Sequence, residues 1–241
     1  MSPDHQILTA SKLSLFAGDK ALVQHVDLVL KAGESVALMG PSGAGKSLTA
    51  QALCGILPKQ IHQTGTIQSA GLVAYLPQDA IASLDPLRTV RWHLDQCVPS
   101  ESSTDIESLL DTLEFLNPRR VLSLYPHQLS GGMARRITLA QCLLSQHRIL
   151  IVDEPANGLD ATAVSTIMAH IQRWAGVERS VLIITHNPVL ASQWCSRIYL
   201  MDSGLIQETC STAEFTQGTI TSKMGQRYHR AWEALSTEDT L

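Results

Sequence analysis

The residues with the clearest chemistry form the segment Gly40–Ser47, which reads GPSGAGKS. It fits the pattern G-x-x-x-x-G-K-[ST] of a phosphate-binding loop, whose backbone amides point inward at phosphate oxygens. Within it, Lys46 is suited to reaching the β- and γ-phosphates of a nucleotide, and the Ser47 hydroxyl is suited to ligating Mg²⁺. We therefore predict that the following residues bind a nucleotide: Gly40, Pro41, Ser42, Gly43, Ala44, Gly45, Lys46, Ser47 and Leu48.

Two acidic residues, Asp153 and Glu154, follow the apolar run Ile149–Val152. Adjacent residues of a strand point to opposite sides, so the two carboxylates need not serve the same purpose. We predict that Asp153 holds Mg²⁺, usually through water, and that Glu154 polarises the water that attacks the γ-phosphate. The alternative interpretation is that both acids cap the helix that follows them.

Two further polar residues, Gln78 and His186, come just after apolar runs that are typical of buried strands. We expect both strands to neighbour the strand before the phosphate loop, because ligands bind beyond the carboxyl ends of parallel strands. There Gln78 can contact Mg²⁺ and water, and His186 can donate a hydrogen bond to a γ-phosphate oxygen. Taken alone, either residue is more commonly an ordinary loop residue.

A second anion-binding segment is indicated at Leu129–Met133, which reads LSGGM. Ser130 can cap the helix that follows, and Gly131 and Gly132 leave the first amides of that helix uncovered. A plain capped helix start is the alternative. Phe16 is a separate candidate, since its ring could stack on an adenine, although a place in the core explains it equally well.

The elements that position these residues follow from the apolar pattern. Runs at 7–16 and 22–30 predict an antiparallel layer before the phosphate loop. Later strands alternate with helices, which indicates an α/β fold with a mainly parallel sheet covered on both faces. We predict one domain, divided into a nucleotide-binding core at 1–78 and 146–210, an inserted helical subdomain at 79–145 and a short C-terminal tail at 211–241.

Composition argues against several other classes. The net charge is −4 and the basic residues are scattered, so no nucleic-acid surface is indicated. The longest apolar runs are too short to span a bilayer and the first residues do not resemble a secretory signal, so we expect a cytoplasmic location. The cysteines lie far apart without a C-x-x-C pair, and Mg²⁺ is the only metal we expect.

The motifs occur in the order typical of an ATP-binding cassette (ABC) ATPase, which the chain resembles from about residue 7 to 208. The resemblance implies the P-loop NTPase fold of ABC ATPases, with ATP and Mg²⁺ as cofactors. It also implies a dimer, in which the signature segment (residues 129–133) of one subunit closes over the ATP held by the phosphate loop of the other. Asp160, in the run Asn157–Asp160, would then belong to the segment that links the two sites.

A narrower resemblance concerns the ATPase subunits of peptide and nickel importers. Residues 78–86, QDAIASLDP, are similar to the Q-D-P-x-x-S-L-N-P segment of those subunits, although Ala80 and Asp85 replace its Pro and Asn. The tail is shorter than in the peptide-importer subunits, which favours nickel or metal-chelate importers.

On this resemblance we expect the ATP-hydrolysing subunit of an ABC importer for nickel, a metal chelate or a peptide. The expected partners are a second ATPase subunit, identical or paralogous, two integral membrane permeases and, indirectly, an extracytoplasmic substrate-binding protein. The subunit would lie on the cytoplasmic face of the inner membrane, and the segment after Gln78 would contact the permeases. The alternatives are a soluble ABC ATPase that acts on ribosomes or DNA, and a small-molecule kinase.

Overall fold

The computed structural model of the chain describes residues 5–99, 105–157 and 159–238. Its strands, in chain order, are β1 (Gln6–Ala17), β2 (Lys20–Lys31), β3 (Ser35–Met39), β4 (Ile61–Ser69), β5 (Val73–Leu76), β6 (Ile149–Asp153), β7 (Ser180–Thr185), β8 (Arg197–Asp202) and β9 (Leu205–Ser211). Its α-helices, in the same order, are α1 (Lys46–Leu53), α2 (Val90–Asp95), α3 (Ile106–Thr112), α4 (Pro118–Leu122), α5 (Gly131–Leu144), α6 (Ala161–Ala175), α7 (Pro188–Trp194), α8 (Thr212–Gln217) and α9 (Lys223–Glu238).

The central sheet contains six strands in the order β5-β6-β7-β3-β8-β9. Its neighbouring strands are parallel, except that β9 runs antiparallel to β8. Every residue of β3, β6 and β7 is buried, as expected for apolar strands that are covered on both faces. The prediction of an α/β fold with a mainly parallel sheet is therefore confirmed.

The strand order corrects one expectation. The strand that precedes His186, β7, does pair with β3, which leads into the phosphate loop. The strand that precedes Gln78, β5, lies at the edge of the sheet, where β6 and β7 separate it from β3. The expectation was wrong for Gln78 because the order of strands along the chain does not determine their order in the sheet. To approach the phosphate loop, Gln78 must therefore extend past the ends of β6 and β7.

A second sheet of three antiparallel strands, in the order β2-β1-β4, covers one face of the central sheet. Alternating residues of β1 and β2, such as Leu15 and Leu28, share a hydrophobic cluster with Leu38 of β3 and Leu182 of β7. Helix α1 contributes to the same cluster through Leu53. The three-stranded sheet thus covers a hydrophobic core that includes residues of β3 and α1, the two elements that flank the phosphate loop.

Helices cover the opposite face of the central sheet. One hydrophobic cluster joins Val152 of β6 and Ile183 of β7 with Leu139 of α5, Ile171 of α6 and Leu190 of α7. The same cluster continues into α2, α3 and α4, so the helical segment between β5 and β6 shares the core of the sheet. Several of these helices begin at a polar residue whose side chain accepts a hydrogen bond from the first turn: Thr89, Asp105, Asn117 and Ser130.

The C-terminal tail forms the helices α8 and α9. The sequence indicated only a weak helical pattern near 228–235, whereas α9 extends from Lys223 to Glu238. Helix α8 buries Phe215 completely, and this residue belongs to the cluster that also contains α7. Among the residues described, no helix combines the length and the apolar character needed to cross a membrane.

Candidate nucleotide-binding site

The phosphate loop connects β3 to α1 and packs closely against β8. A Cβ atom at Gly40 would lie 2.0 Å from the carbonyl oxygen of Met201, so only glycine fits there. Gly45 has a φ angle of 104°, which side chains of L-residues disfavour, and helix α1 begins directly after it at Lys46. The close approach to Met201 and the backbone conformation of Gly45 therefore shape the loop.

Lys46 is buried at the base of this loop. Its Nζ donates hydrogen bonds to the carbonyl oxygens of Gly40, at 2.8 Å, and Pro41, at 2.9 Å. Burial lowers the pKa of Lys46, and the negative charges of Glu154 and Asp153 oppose this effect. The ammonium group is thus held between the loop and the two carboxylates, where a bound phosphate would meet it.

Asp153 is the last residue of β6, and its carboxylate is almost fully buried. The hydroxyl of Tyr75 donates a 2.8 Å hydrogen bond to Oδ2 of Asp153. Burial, followed by the charge of Asp153, raises the pKa of Tyr75, so this hydroxyl remains a donor. Oδ1 of Asp153 is buried without a hydrogen-bond partner in the part of the chain that is described. A buried carboxylate oxygen without a partner is costly, and a cation would satisfy it.

This arrangement fits Mg²⁺. The candidate ligands are the Ser47 hydroxyl, the Gln78 side-chain amide and the Asp153 carboxylate, and all of them offer the oxygen atoms that Mg²⁺ prefers. Ser47 and Gln78 both line the same cleft, which is described below. When bound with a nucleotide, the ion would neutralise charge on the phosphate oxygens.

Glu154 lies just beyond β6 and has a φ angle of 49°, which is unusual for a residue other than glycine. The expectation that Asp153 and Glu154 are adjacent strand residues was therefore wrong: the strand ends at Asp153, and the left-handed backbone of Glu154 determines where its side chain points. Nδ1 of His186 lies 2.9 Å from Oε1 of Glu154, with 67% of the His186 side chain exposed but only 12% of the Glu154 side chain. Such strain commonly occurs at functional sites.

Arg135 of α5 connects the loops that carry these residues, and the sequence analysis did not identify it. Its buried guanidinium donates to four backbone carbonyl oxygens, those of Pro155 at 2.7 Å, Glu154 at 3.0 Å, Asn157 at 3.2 Å and Gln78 at 3.2 Å. Burial lowers the pKa of Arg135, and the charges of Asp153 and Glu154 partly offset this. One side chain therefore ties the start of α5 to the segments after β5 and β6.

The sequence contains a signal for this role. Arg135 lies on the same helical face as Leu139 and Cys142, four and seven positions later, and all of them are buried. A charged residue within an apolar helical stripe is uncommon unless it is paired, so it indicates a specific set of partners. Tyr75 has no comparable signal, because its partner Asp153 is distant along the chain.

A cleft of about 980 Å³, here called the phosphate-loop cleft, brings most of the predicted residues together. This volume lies at the upper end of the range for ligand pockets. The predicted site residues that line it are Pro41, Ser42, Gly43, Gly45, Lys46, Ser47, Leu48, Gln78, Glu154 and His186. Asn157 and the tail helix α9 also contribute to the lining.

The signature segment lies elsewhere. Ser130 caps α5 by accepting a hydrogen bond from the amide of Met133. Gly131 and Gly132 line a second cavity of about 420 Å³, which adjoins the phosphate-loop cleft at Gln78 and Asn157. A Cβ atom at Gly131 would meet no atom within 4 Å, and one at Gly132 would meet only Leu159, at 3.7 Å. Nothing in the described chain therefore requires glycine at these two positions.

Several predicted residues do not line the phosphate-loop cleft: Gly40, Ala44, Asp153, Asp160 and Phe16. The Asp160 side chain caps α6 by accepting a 2.8 Å hydrogen bond from the amide of Ala163, while Gly158 lies outside the described residues. Phe16 lies near the end of β1 and pairs with Ala21, whereas the neighbouring Leu22 lines the cleft. Stacking of Phe16 on adenine remains a prediction.

Comparison with known proteins identifies the family. The model of the family described as "ABC transporter" matches residues 23–157, which is more than half of the chain. Over 216 residues, the chain is 32% identical to the peptidoglycan transport ATP-binding protein YejF of Agrobacterium fabrum, covering 78% of this chain and 39% of that protein. It is 28% identical over 216 residues to the oligopeptide transport ATP-binding protein OppD of Escherichia coli, covering 79% of this chain and 64% of that protein.

Solved structures show the same fold. The dimeric, post-hydrolysis structure of the ATP-binding cassette MJ0796 with ADP and Pi superposes with a TM-score of 0.72, at 21% identity, and covers 86% of this chain and 99% of that one. The chain spans less than two thirds of the length of the relatives YejF and OppD.

Proposed function

Because this chain belongs to the ABC transporter family and has its ATPase domain, we propose that it binds ATP with Mg²⁺ and hydrolyses it to drive transport across a membrane. The observation that carries this proposal is that Lys46, Glu154 and His186 line one cleft, with Glu154 and His186 in direct contact. The cleft thus contains the Lys46 ammonium, which can bind phosphate oxygens, and the Glu154 carboxylate, which can polarise the attacking water.

In the proposed mechanism, the amides of the phosphate loop and the Lys46 ammonium hold the β- and γ-phosphates. The Glu154 carboxylate accepts a hydrogen bond from the attacking water and holds it in line with the γ-phosphate, while His186 fixes the carboxylate and faces the phosphate. Ser47, Gln78 and Asp153 would hold the Mg²⁺, whose charge stabilises the leaving phosphate oxygens. Water and ATP are converted to ADP and inorganic phosphate.

We propose that the active unit is a dimer with a second ATPase subunit, identical or paralogous. Support comes from the lining of two adjoining cavities: Gly131 and Gly132 line the smaller one, and Lys46 lines only the phosphate-loop cleft. Open space at Gly131 also supports it, since no described residue would meet a Cβ atom at that position. The signature segment would close over the nucleotide of the partner, and Asp160 would lie at the interface.

The helical segment between β5 and β6 is the proposed contact with two membrane permeases. Ile81, Leu87 and Trp92 follow Gln78, and all of them are exposed, Leu87 by 82%. Exposed apolar side chains of this size are suited to an interface. Through Gln78, the same segment reaches the phosphate-loop cleft, which offers a route from the nucleotide to the permeases. The chain would thereby lie peripherally on the cytoplasmic membrane face.

The proposed cargo is a peptide-type substrate taken up through an importer, with an extracytoplasmic substrate-binding protein acting upstream. The names of YejF and OppD refer to peptidoglycan and oligopeptides, and this favours peptides over the nickel or metal chelate that the short tail suggested. A cell that lacks this chain is expected to lose uptake of labelled short peptides and retain uptake of labelled nickel. The reverse pattern would favour the metal.

Phosphate release from Mg²⁺-ATP by the purified chain, with and without co-expressed permeases, tests the activity itself. Lys46→Ala protein is expected to bind ATP at least tenfold more weakly and to lose turnover, because the buried ammonium is the loop's cation. Chelation of Mg²⁺ is expected to stop turnover as well. Normal phosphate release by the Lys46→Ala protein would contradict the proposed function.

A further inference from the structure

The tail helix α9 forms part of the wall of the phosphate-loop cleft. The residues of α9 that line it are Lys223, Met224, Arg227, Tyr228 and Ala231. Their spacing of three and four residues places them on a single helical stripe. Seven residues of the phosphate loop and the start of α1 line the same cleft: Pro41, Ser42, Gly43, Gly45, Lys46, Ser47 and Leu48. A ligand on the phosphate loop would therefore lie beside the tail of its own chain.

The start of α9 is fixed by a carboxylate of the central sheet. Glu208 of β9 accepts hydrogen bonds from the amide of Thr221 at 2.7 Å, its hydroxyl at 2.9 Å and the amide of Ser222 at 2.9 Å. Ser222 in turn accepts a 3.0 Å hydrogen bond from the amide of Gly225. Partial burial alone would raise the pKa of Glu208, but these hydrogen bonds outweigh it and lower the pKa to about 2.

The opposite face of α9 is held by aromatic packing. His229 and Trp232 stack on one another at 5.8 Å, and both meet the buried ring of Phe215 edge-on, at 6.1 and 6.4 Å. A Cβ atom at Gly225 would lie 2.9 Å from the side chain of Leu200, so the helix also sits close to β8. These contacts involve one face of α9. They hold the helix so that its opposite face is turned to the phosphate-loop cleft.

The face of α9 that is turned to the cleft carries two positive charges. Lys223 and Arg227 are exposed, and they enter a cleft that also holds Lys46, His186 and the carboxylates of Glu154 and Asp202. Neither cation belongs to the contacts that attach α9. A nucleoside triphosphate carries several negative charges, and Arg and Lys are the side chains best suited to bind them.

We propose that α9 is part of the nucleotide-binding site of its own chain, and that Lys223 and Arg227 contact the phosphates of the bound nucleotide. This inference rests on the proposed ATPase function. It adds the positive charges of α9 to that of Lys46 in the phosphate loop. The tail would then serve to strengthen nucleotide binding. Each exposed charge contributes modestly, so the pair is expected to strengthen ATP binding by about tenfold at low ionic strength.

The position of Tyr228 supports this arrangement. Burial raises the pKa of Tyr228, and the charge of Glu154 raises it further, so its hydroxyl is a hydrogen-bond donor near the proposed catalytic carboxylate. Tyr228 is half-buried on the same stripe as Arg227. Tyr228 and Glu154 therefore line the same cleft.

Binding measurements with a non-hydrolysable ATP analogue test the proposal on the full chain. The double variant Lys223→Ala/Arg227→Ala is expected to bind about tenfold more weakly at low salt, and the difference should shrink as salt is added. Binding of adenosine, which lacks phosphates, should not change. The matched control Lys59→Ala/Arg120→Ala removes two exposed positive charges that lie outside both the cleft and α9, and it is expected to bind as the unaltered chain does.

The outcomes separate this proposal from the ATPase function. If the double variant binds the analogue as tightly as the control, or more tightly, α9 does not contact the phosphates, while loss of binding in Lys46→Ala would still support the nucleotide site. An equal loss for adenosine and the ATP analogue would mean that the substitutions disturb the cleft as a whole, and would also overturn the proposal. Normal binding by Lys46→Ala would instead contradict the proposed function itself.

Discussion

Nδ1 of His186 lies 2.9 Å from Oε1 of Glu154, although the two residues follow different strands of the central sheet. The contact is possible because β6 and β7 are parallel neighbours, so the segments that leave them emerge side by side. The amide of Glu154 also donates a 2.9 Å hydrogen bond to the carbonyl oxygen of Ile184, which anchors the unusual backbone of Glu154 to β7. Glu154 is thus held through both its side chain and its backbone amide.

Loss of the imidazole is expected to slow hydrolysis and to spare binding. In His186→Ala, Glu154 loses the partner that orients it, so kcat should fall by about 10²-fold, the usual effect of one positioned polar group. The dissociation constant for ATP should change less than threefold, because Lys46 and the loop are unaltered. Steady-state kinetics measure the first quantity, and equilibrium titration the second. His62→Ala, an exposed histidine of β4, is the control and should match the unaltered chain.

Arg135 is expected to be a positioning residue that lysine cannot replace. A lysine ammonium cannot satisfy four carbonyl oxygens on separate loops, so Arg135→Lys should lower kcat by about 10- to 100-fold through misplacement of Glu154 and Gln78. Arg136→Lys provides the adjacent control, since Arg136 donates to the carbonyl oxygens of Leu113 and Glu114 within the helical segment. A normal kcat in Arg135→Lys, or an equal loss in Arg136→Lys, would show that Arg135 has no special role.

A bulky residue in the signature segment is expected to block dimer closure without harming the fold. In Gly131→Leu the new side chain enters open space, so the free energy of unfolding and ATP binding by the single chain should stay nearly unchanged. ATP-dependent dimerisation, measured by light scattering, and hydrolysis should be lost. Gly40→Ala is the contrasting variant, because its Cβ would collide with the Met201 carbonyl and should impair folding. If Gly131→Leu lost ATP binding instead, both segments would serve one site in a single chain.

The attachment of α9 is expected to depend on pH through Glu208. Its pKa in the folded chain is about 2, below the ordinary value of 4.5, so the ionised form is the one that the Thr221 and Ser222 donors favour. The stabilisation is therefore complete above about pH 4.5 and is lost as the pH falls towards 2. Glu208→Gln should remove this dependence and increase hydrogen exchange of the amides at 221–225 at neutral pH. Unchanged exchange there would contradict the role of Glu208.

Much of the candidate site could be predicted from sequence because its motifs are local. The phosphate loop is recognised from eight consecutive residues, and Ser130 caps its own helix. The steric requirement for glycine at Gly40 is not local, because it comes from the carbonyl oxygen of Met201. The strand order could not be predicted, because the sequence records only the order of strands along the chain. Gln78 therefore enters the cleft from the edge of the sheet, beyond β6.

The features of the site that could not be predicted depend on contacts between distant parts of the chain. Arg135 bonds to Gln78, which is 57 residues away, and Tyr75 bonds to Asp153, which is 78 residues away. The position of α9 at the cleft could not be predicted, because its cleft-facing stripe mixes cations with Met224 and Tyr228. Such a stripe resembles an ordinary solvated helix face. Its role follows only once β9 and α8 have placed it beside the phosphate loop.

The most direct test of the central claim is the rate of ATP hydrolysis by Glu154→Gln measured together with its affinity for ATP. The substitution keeps the size and the contact with His186 but removes the negative charge that acts on water. We expect that ATP binding persists, that kcat falls by about 10²- to 10³-fold and that the ATP-bound dimer accumulates. Hydrolysis of ATP by Glu154→Gln at the normal rate would contradict it.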